Sequence, residues 1–239
     1  MKYVWGAGTN TGKVRTVNED SLFPASSGNS PGPAVLIVAD GMGGAVAGEV
    51  ASKLAVEAAS AADPEDPIEP VERVAAGNGA VIAASKHDEN LRGMGTTMTL
   101  VRLDPDGIAD FAHVGDSRAY LLRDHKLQIL TTDHTLVNEL IEIGKITQQE
   151  AEHHPHRHLL TRVLGLGPVT IDQFSVDLAD NDRLLLCSDG LTTMVTDFTI
   201  EQILNAREGV EPTSWALIEQ ANMAGGVDNT TVIVIDVSV

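Results

Sequence analysis

The stretch Val35-Leu36-Ile37-Val38-Ala39 is apolar without a break and leads straight into Asp40-Gly41-Met42-Gly43-Gly44. Such a run, rich in β-branched residues, describes a buried strand, so the fold must cover a sheet. A carboxylate stands at the exit of this strand, and the glycines after it let backbone come close to a ligand. The same design recurs along the chain. Phe111-Ala112-His113-Val114-Gly115 runs into Asp116-Ser117, and Leu184-Leu185-Leu186-Cys187-Ser188 runs into Asp189-Gly190. Asp228-Asn229 stands just before the apolar run from Thr230 to Val237. Each alone is an ordinary turn; together, carboxylates at four strand ends are placed to converge.

The 239 residues suit a single domain spanning 1–239, with a sizeable core. Thirty-four acidic against sixteen basic side chains give a formal charge of −18. That surface repels a phosphate backbone, which argues against general nucleic-acid binding. Most of these charges are a solvated surface, but carboxylates clustered around cations would reverse the local field. No apolar run is long enough to cross a bilayer, and Met1-Lys2-Tyr3-Val4-Trp5 lacks a signal-peptide pattern. The one cysteine, Cys187, excludes an internal disulfide framework and suits a reducing, cytoplasmic setting. A monomer without membrane contact is the expectation.

Hydrophobic periodicity predicts a first strand over 2–9, a polar loop over 11–21 and a surface turn over 25–33. After the organising strand, Val46, Val50, Leu54 and Ala58 recur by fours, which predicts an amphipathic helix over 43–62. Asp63-Pro64-Glu65-Asp66-Pro67 breaks it, and a second helix follows over 68–91 with Val71, Val74, Val81 and Ile82 inward, weakened by Gly77 and Gly79. Strands are expected over 96–103, 107–114, 119–123 and 126–130, with a hairpin at Asp104-Pro105-Asp106-Gly107. Leu136, Leu140 and Ile143 return to helical period, closed by Gly144, and Thr147-Gln148-Gln149-Glu150 has the form of a capping box. Strands over 171–176, 183–188 and 229–237 and helices over 199–206 and 213–223 complete the chain. Strands and helices are grouped rather than alternating, which favours antiparallel α+β with helices covering a sheet sandwich.

Carboxylate, carbonyl and water oxygens are what Mg²⁺ or Mn²⁺ require. Asp40, Asp116, Asp189 and Asp228 supply the carboxylates, and Gly41 can add its carbonyl. Two such ions about 4 Å apart can bridge a water, lower its pKa and aim it at phosphorus. Arg15 is suited to grip phosphate bidentately; its plainer reading is an ion pair with Glu19 or Asp20.

Arg15-Thr16-Val17-Asn18-Glu19-Asp20, Asp40-Gly41-Met42-Gly43-Gly44, Gly95-Thr96-Thr97, Gly115-Asp116-Ser117-Arg118, Ser188-Asp189-Gly190-Leu191 and Asp228-Asn229-Thr230 follow one another in register over most of the chain. In order and spacing they resemble the metal-dependent serine/threonine protein phosphatases of the protein phosphatase 2C type. The resemblance implies an αββα sandwich, two antiparallel sheets flanked by helix pairs, with two or three Mn²⁺ or Mg²⁺ ions in a cleft at one edge. It implies that Asp40 bridges two ions, Gly41 adds its carbonyl, Asp189 and Asp228 complete the second site, and Asp116 with Asp189 forms a third. Glu19 would act through water, while Asp20 and Asn229 orient ligands or brace the loop. Arg15 would bind phosphate, and a metal-bridging water would attack phosphoserine or phosphothreonine without a phosphoenzyme. Phosphorylated proteins, a serine/threonine kinase among them, are the implied partners, and a bacterial source is implied by the flap and Met42.

Met42 stands where many eukaryotic relatives carry a histidine proposed as general acid. Residues 133–165 resemble the flap of bacterial members, and Arg162, within Leu159-Leu160-Thr161-Arg162-Val163-Leu164-Gly165, is a candidate to touch substrate; its plainer reading is a loop salt bridge. His134 and the tract His153-His154-Pro155-His156-Arg157-His158 read first as solvated or structural. Two alternatives share these residues: a two-metal small-molecule phosphatase, and a pseudophosphatase that binds phosphoproteins without turnover. The latter is disfavoured by the full set Asp40, Asp189 and Asp228.

Overall fold

A computed structural model describes residues 1–43 and 47–239. Two antiparallel sheets face each other. The first has the order β3 (Gly28–Ser30), β1 (Lys2–Asn10), β12 (Thr230–Ser238), β11 (Arg183–Cys187), β8 (Arg118–Arg123) and β9 (Lys126–Ile129). The second runs β10 (Asp172–Asp177), β7 (Ile108–Val114), β6 (Met98–Leu103), β4 (Ala34–Met42) and β2 (Asp20–Phe23), with β5 (Gly95–Thr96) paired to the end of β4.

The continuous apolar runs of the sequence are explained by burial on both faces. Along β4, Leu36 and Val38 point into the space between the sheets, where they meet Phe111, Leu186 and Ile235. The alternate residues Val35, Ile37 and Ala39 point outward against α1 (Ala47–Ser60) and α2 (Pro70–His87). β11 divides in the same way: Leu184 and Leu186 face the sandwich, Leu185 and Cys187 face α6 (Asp197–Asn205) and α7 (Val210–Met223). The architecture is therefore the expected αββα. Short α3 (Leu136–Glu142) and α4 (Gln148–Glu152) lie within the segment between β9 and β10, and a one-turn α5 (Asp189–Thr192) follows β11. The Gly144 helix stop and the Thr147/Glu150 capping box form as expected.

Four expectations change. β2 and β3 arise where a loop and a turn were expected; β2 is fixed by pairing with β4, Asp20 opposite Asp40, and so depends on a partner distant in sequence. The first helix is described from Ala47 and buries Ala47, Ala51, Ala55 and Ala59, leaving Val50, Leu54 and Ala58 half-buried, while Gly44 and Val46 lie outside the described residues. α5 is a single turn, too short to carry a hydrophobic period. The buried stripe of α2 runs through Val74, Gly77 and Val81, leaving Val71 and Ile82 half-buried.

Gly77 does not weaken α2 but lets it approach α1. A Cβ there would lie 2.9 Å from the Ala55 carbonyl oxygen, whereas one at Gly79 would meet nothing within 4 Å. The two glycines should therefore respond oppositely to the same substitution. Gly79→Ala should raise stability by roughly 0.5–1 kcal/mol, the ordinary helix-propensity gain, and Gly77→Ala should lower it. Urea midpoints of the two variants check this; equal gains would mean the helices are not in that contact.

Candidate active site

Asp40 lies inside β4, since β5 pairs with Gly41 and Met42 and carries the strand past the carboxylate. Its backbone is locked from both sides. The Asp40 N–H donates to Thr97 Oγ1 at 2.9 Å, and its carbonyl accepts from the Thr97 N–H at 2.9 Å and the Thr96 hydroxyl at 2.8 Å. This assigns a purpose to Gly95-Thr96-Thr97, a motif without a role in the sequence reading. At Gly41 any side chain would run into the carbonyls of Gly48 and Glu19, so glycine is required by close backbone packing.

The other acids enter from three more strand ends. Asp116 follows Gly115, which turns the chain out of β7 at a φ of +111°. Asp189 opens α5, directly after β11. Asp228 precedes β12, and its Oδ1 accepts the Asn229 N–H at 2.8 Å. All four carboxylates line one cleft of about 700 Å³ with Arg15, Glu19, Gly41, Met42, Thr97 and the flap residues His158 and Leu160.

The bracing expected of Asp20 and Asn229 is visible bond by bond. Asp20 Oδ2, buried, accepts from Ser188 at 2.8 Å and Thr231 at 2.7 Å, tying the end of β11 to β12. Asn229 Oδ1 accepts the Glu19 N–H at 2.8 Å, and its amide donates to the carbonyls of Thr11 at 2.9 Å and Val17 at 3.0 Å. The Arg15 loop is thereby held on the β12 entry. Arg15 itself donates to Asp228 Oδ2 at 2.7 Å and stands 3.8 Å from Glu19. Its ion-pair reading holds, with Asp228 as the main partner instead of Asp20.

Like charges are forced together here. Burial, and then the charges of Asp20, Asp189 and Asp116, push the Asp40 carboxyl well above the usual range. Asp189 is raised by burial and by Asp228. Asp116 is pushed up to about 8 by burial and the charges of Asp189 and Asp133. Burial pushes Asp20 up to about 7 against the pull of its Thr231 and Ser188 hydrogen bonds. Burial also raises Glu19, despite Arg15 beside it.

Among the described residues no three His, Cys, Asp or Glu side chains are already drawn together closely enough to hold a metal ion by themselves. The acids instead face an open cleft, which suits a hard cation that keeps some of its waters. Two further observations fit divalent cations. The donors are all oxygens, and Glu19 Oε1 and Asp20 Oδ1 are buried without a hydrogen-bond partner.

A family model described as protein phosphatase 2C matches residues 7–221. The chain belongs to the protein phosphatase 2C family. The serine/threonine phosphatase stp of Listeria monocytogenes is 39% identical over 240 residues, covering 95% of this chain and 93% of that protein. The serine/threonine protein phosphatase PstP of Mycobacterium tuberculosis is 40% identical over 238 residues, covering 98% of this chain and 45% of that one. A crystal structure of M. tuberculosis PstP/Ppp superposes with a TM-score of 0.91 at 39% identity, each chain fully covered. A second, of the PstP catalytic domain in complex with two manganese ions, gives 0.87 at 38% identity, again with both chains fully covered.

Arg162 does not join the cleft. It donates to Asp172 Oδ1 at 2.8 Å, the same carboxylate that takes His134 Nε2 at 3.1 Å, and it is absent from the cleft lining. The loop salt bridge is the reading that the geometry meets, because β10 presents a carboxylate to it. His134 is buried with both ring nitrogens engaged, Nδ1 accepting the Gly115 N–H at 3.0 Å. Arg118 grips Asp133 with two bonds of 2.8 and 2.6 Å and so anchors the start of the flap. Of the histidine tract, His158 reaches the cleft, while His154 and His156 are neighbours with ring centroids 5.8 Å apart. Cys187 is buried and burial pushes its thiol up to about 12, so it is inert at neutral pH.

The raised carboxyls carry a sign. A carboxyl held above its unfolded value of about 4 adds stability below that pH and loses it as pH rises through the folded value. For Asp20 and Asp116 the folded values are about 7 and about 8, so metal-free protein should lose stability between pH 5 and 8.5. The loss should be on the order of a few kcal/mol, and Mn²⁺ should restore more at the upper end. Urea unfolding of metal-stripped protein at both pH values checks this; greater metal-free stability at pH 8.5 would contradict it.

Proposed function

We propose that the cleft hydrolyses phosphoserine and phosphothreonine esters in proteins, with divalent metal ions as cofactor. The observation that carries this reading is the convergence of Asp40, Asp116, Asp189 and Asp228 with Arg15 in one cleft. Asp40 with the Gly41 carbonyl would hold one ion, Asp40, Asp189 and Asp228 a second, and Asp116 with Asp189 a third. When bound, these ions supply an activated water as nucleophile and withdraw charge from the phosphoryl oxygens. Mn²⁺ is supported by the manganese-containing relative, Mg²⁺ by the same hard-oxygen donor set.

The chain's own residues set the geometry around that chemistry. Arg15 sits beside Asp228 and is suited to pass its guanidinium to the substrate phosphate once Asp228 has a cation of its own. Glu19, 3.8 Å from Arg15, keeps the arginine at the cleft during that exchange. The attacking oxygen forms a bond to phosphorus as the serine or threonine P–O bond breaks, and the departing alkoxide takes a proton. Met42 has none to give, and the buried His134 does not line the cleft, which leaves cleft water or His158 of the lining as the donor. Phosphorylated proteins are the substrates this implies, a serine/threonine kinase among them, for a cytoplasmic, monomeric enzyme of bacterial signalling. No helix among the described residues is long and apolar enough to cross a membrane.

Phosphate release from a phosphothreonine peptide should require Mn²⁺ or Mg²⁺ and stop with EDTA. Asp189→Asn should lower kcat by at least roughly 10²-fold while the protein stays folded, since that side chain would serve two ions. Arg15→Ala should mainly raise KM for the peptide. Near-normal turnover in folded Asp189→Asn protein would overturn the metal assignment, and an unchanged KM would remove Arg15 from phosphate binding.

A further inference from the structure

The mouth of the cleft is apolar while its floor is acidic. Among the residues lining it, Val14 is 65% exposed, Val227 43% and Met42 37%, with Leu160 half-buried, and the loops of Val14 and Val227 are bonded to each other as one wall. None of these side chains carries chemistry, and aliphatic groups left in water at a cleft mouth are unused burial.

We propose that this rim is a specificity surface that receives apolar residues flanking the phosphorylated serine or threonine of a substrate segment. The inference rests on the phosphatase reading of the cleft and adds which sequences that cleft selects.

Two observations carry it. First, the wall is rigid. The Lys13 N–H donates to the Gly226 carbonyl at 2.7 Å, joining the two loops that bear Val14 and Val227. Gly12, at a φ of +80°, packs against the Asp228 carbonyl so closely that a side chain would collide with it, and its N–H donates to Asn10 Oδ1 at 2.9 Å. Asn229 pins the same loop at Thr11 and Val17. Two aliphatic side chains held on a clamped backbone can take a partner with little ordering cost. Second, the rim is continuous with the catalytic cleft: Val14 adjoins Arg15, Val227 adjoins Asp228 and Met42 adjoins Gly41. A phosphate at Arg15 therefore sets its neighbouring residues on the rim.

The test uses three phosphothreonine peptides of equal length that differ only in their flanks: Leu/Val, Ser/Gly or Asp/Glu. The apolar-to-neutral ratio of kcat/KM isolates the rim contact from charge. It should be roughly five- to tenfold in the parent protein, consistent with partial burial of two or three aliphatic side chains. In the double variant Val14→Ser/Val227→Ser it should fall toward one, with Val14→Thr/Val227→Thr as the shape-conserving second variant. A ratio near one in the parent, or one retained in folded variants, would overturn the proposal. Para-nitrophenyl phosphate, which has no flanks, reports separately on the chemistry. If it and all peptides resist hydrolysis, the phosphatase reading fails, and fluorescence anisotropy of the same peptides then decides the rim. Tighter binding of the apolar-flanked peptide by the parent alone supports the surface, and equal affinities refute it.

Discussion

The structure turns on holding carboxylates against their own repulsion. Asp40 and Asp116 come from strands of one sheet, Asp189 and Asp228 from strands of the other. The distance between the two pairs is therefore set by how the sheets pack face to face through Leu36, Val38, Phe111, Leu186 and Ile235. A core buried on both faces of each sheet makes that spacing stiff, since close-packed interiors resist deformation. Burial, and after it the charges of neighbouring acids, raise Asp40, Asp116 and Asp189, so that without cations these groups tend to take up protons. Divalent ions would relieve the same repulsion without the protons.

Around the acids lies a set of polar residues whose task is backbone placement. Thr96 and Thr97 fix Asp40, Asp20 ties Ser188 to Thr231, and Asn229 holds the loop that carries Arg15. Each satisfies groups that would otherwise be buried unpaired, and each joins elements far apart in the chain. Arg15 is the cation set among these acids. Bonded to Asp228 it neutralises one acid of the cleft, and the same guanidinium is what a phosphate would recruit.

Much of this was legible in the sequence, because the informative signals were local. Apolar runs such as Val35–Ala39 and Leu184–Cys187 mark strands that must be covered twice, and Asp-Gly after such runs marks the cleft edge. Six motifs in register then gave the family, which its family model and relatives confirm. What stayed hidden depends on distant partners. β2 and β3 are polar or glycine-rich, and exist because β4 and β1 lie beside them. Gly77 reads as a weak point of its helix until Ala55 is seen against it. Arg162 and His134 stood near the flap with no visible partner, and Asp172, ten residues beyond Arg162, takes both. The polar roles of Thr97, Ser188 and Thr231 leave no periodic trace, and only the short motifs around them hint at a function.

On the proposed assignment Asp40 would serve two ions held between the opposed sheets. Electron paramagnetic resonance of the protein titrated with Mn²⁺ tests it without reference to any substrate. An exchange-coupled signal from a manganese pair, lost in Asp40→Asn, is the expected result. A spectrum of isolated, uncoupled Mn²⁺ at full occupancy, or no binding at all by the folded protein, would contradict it.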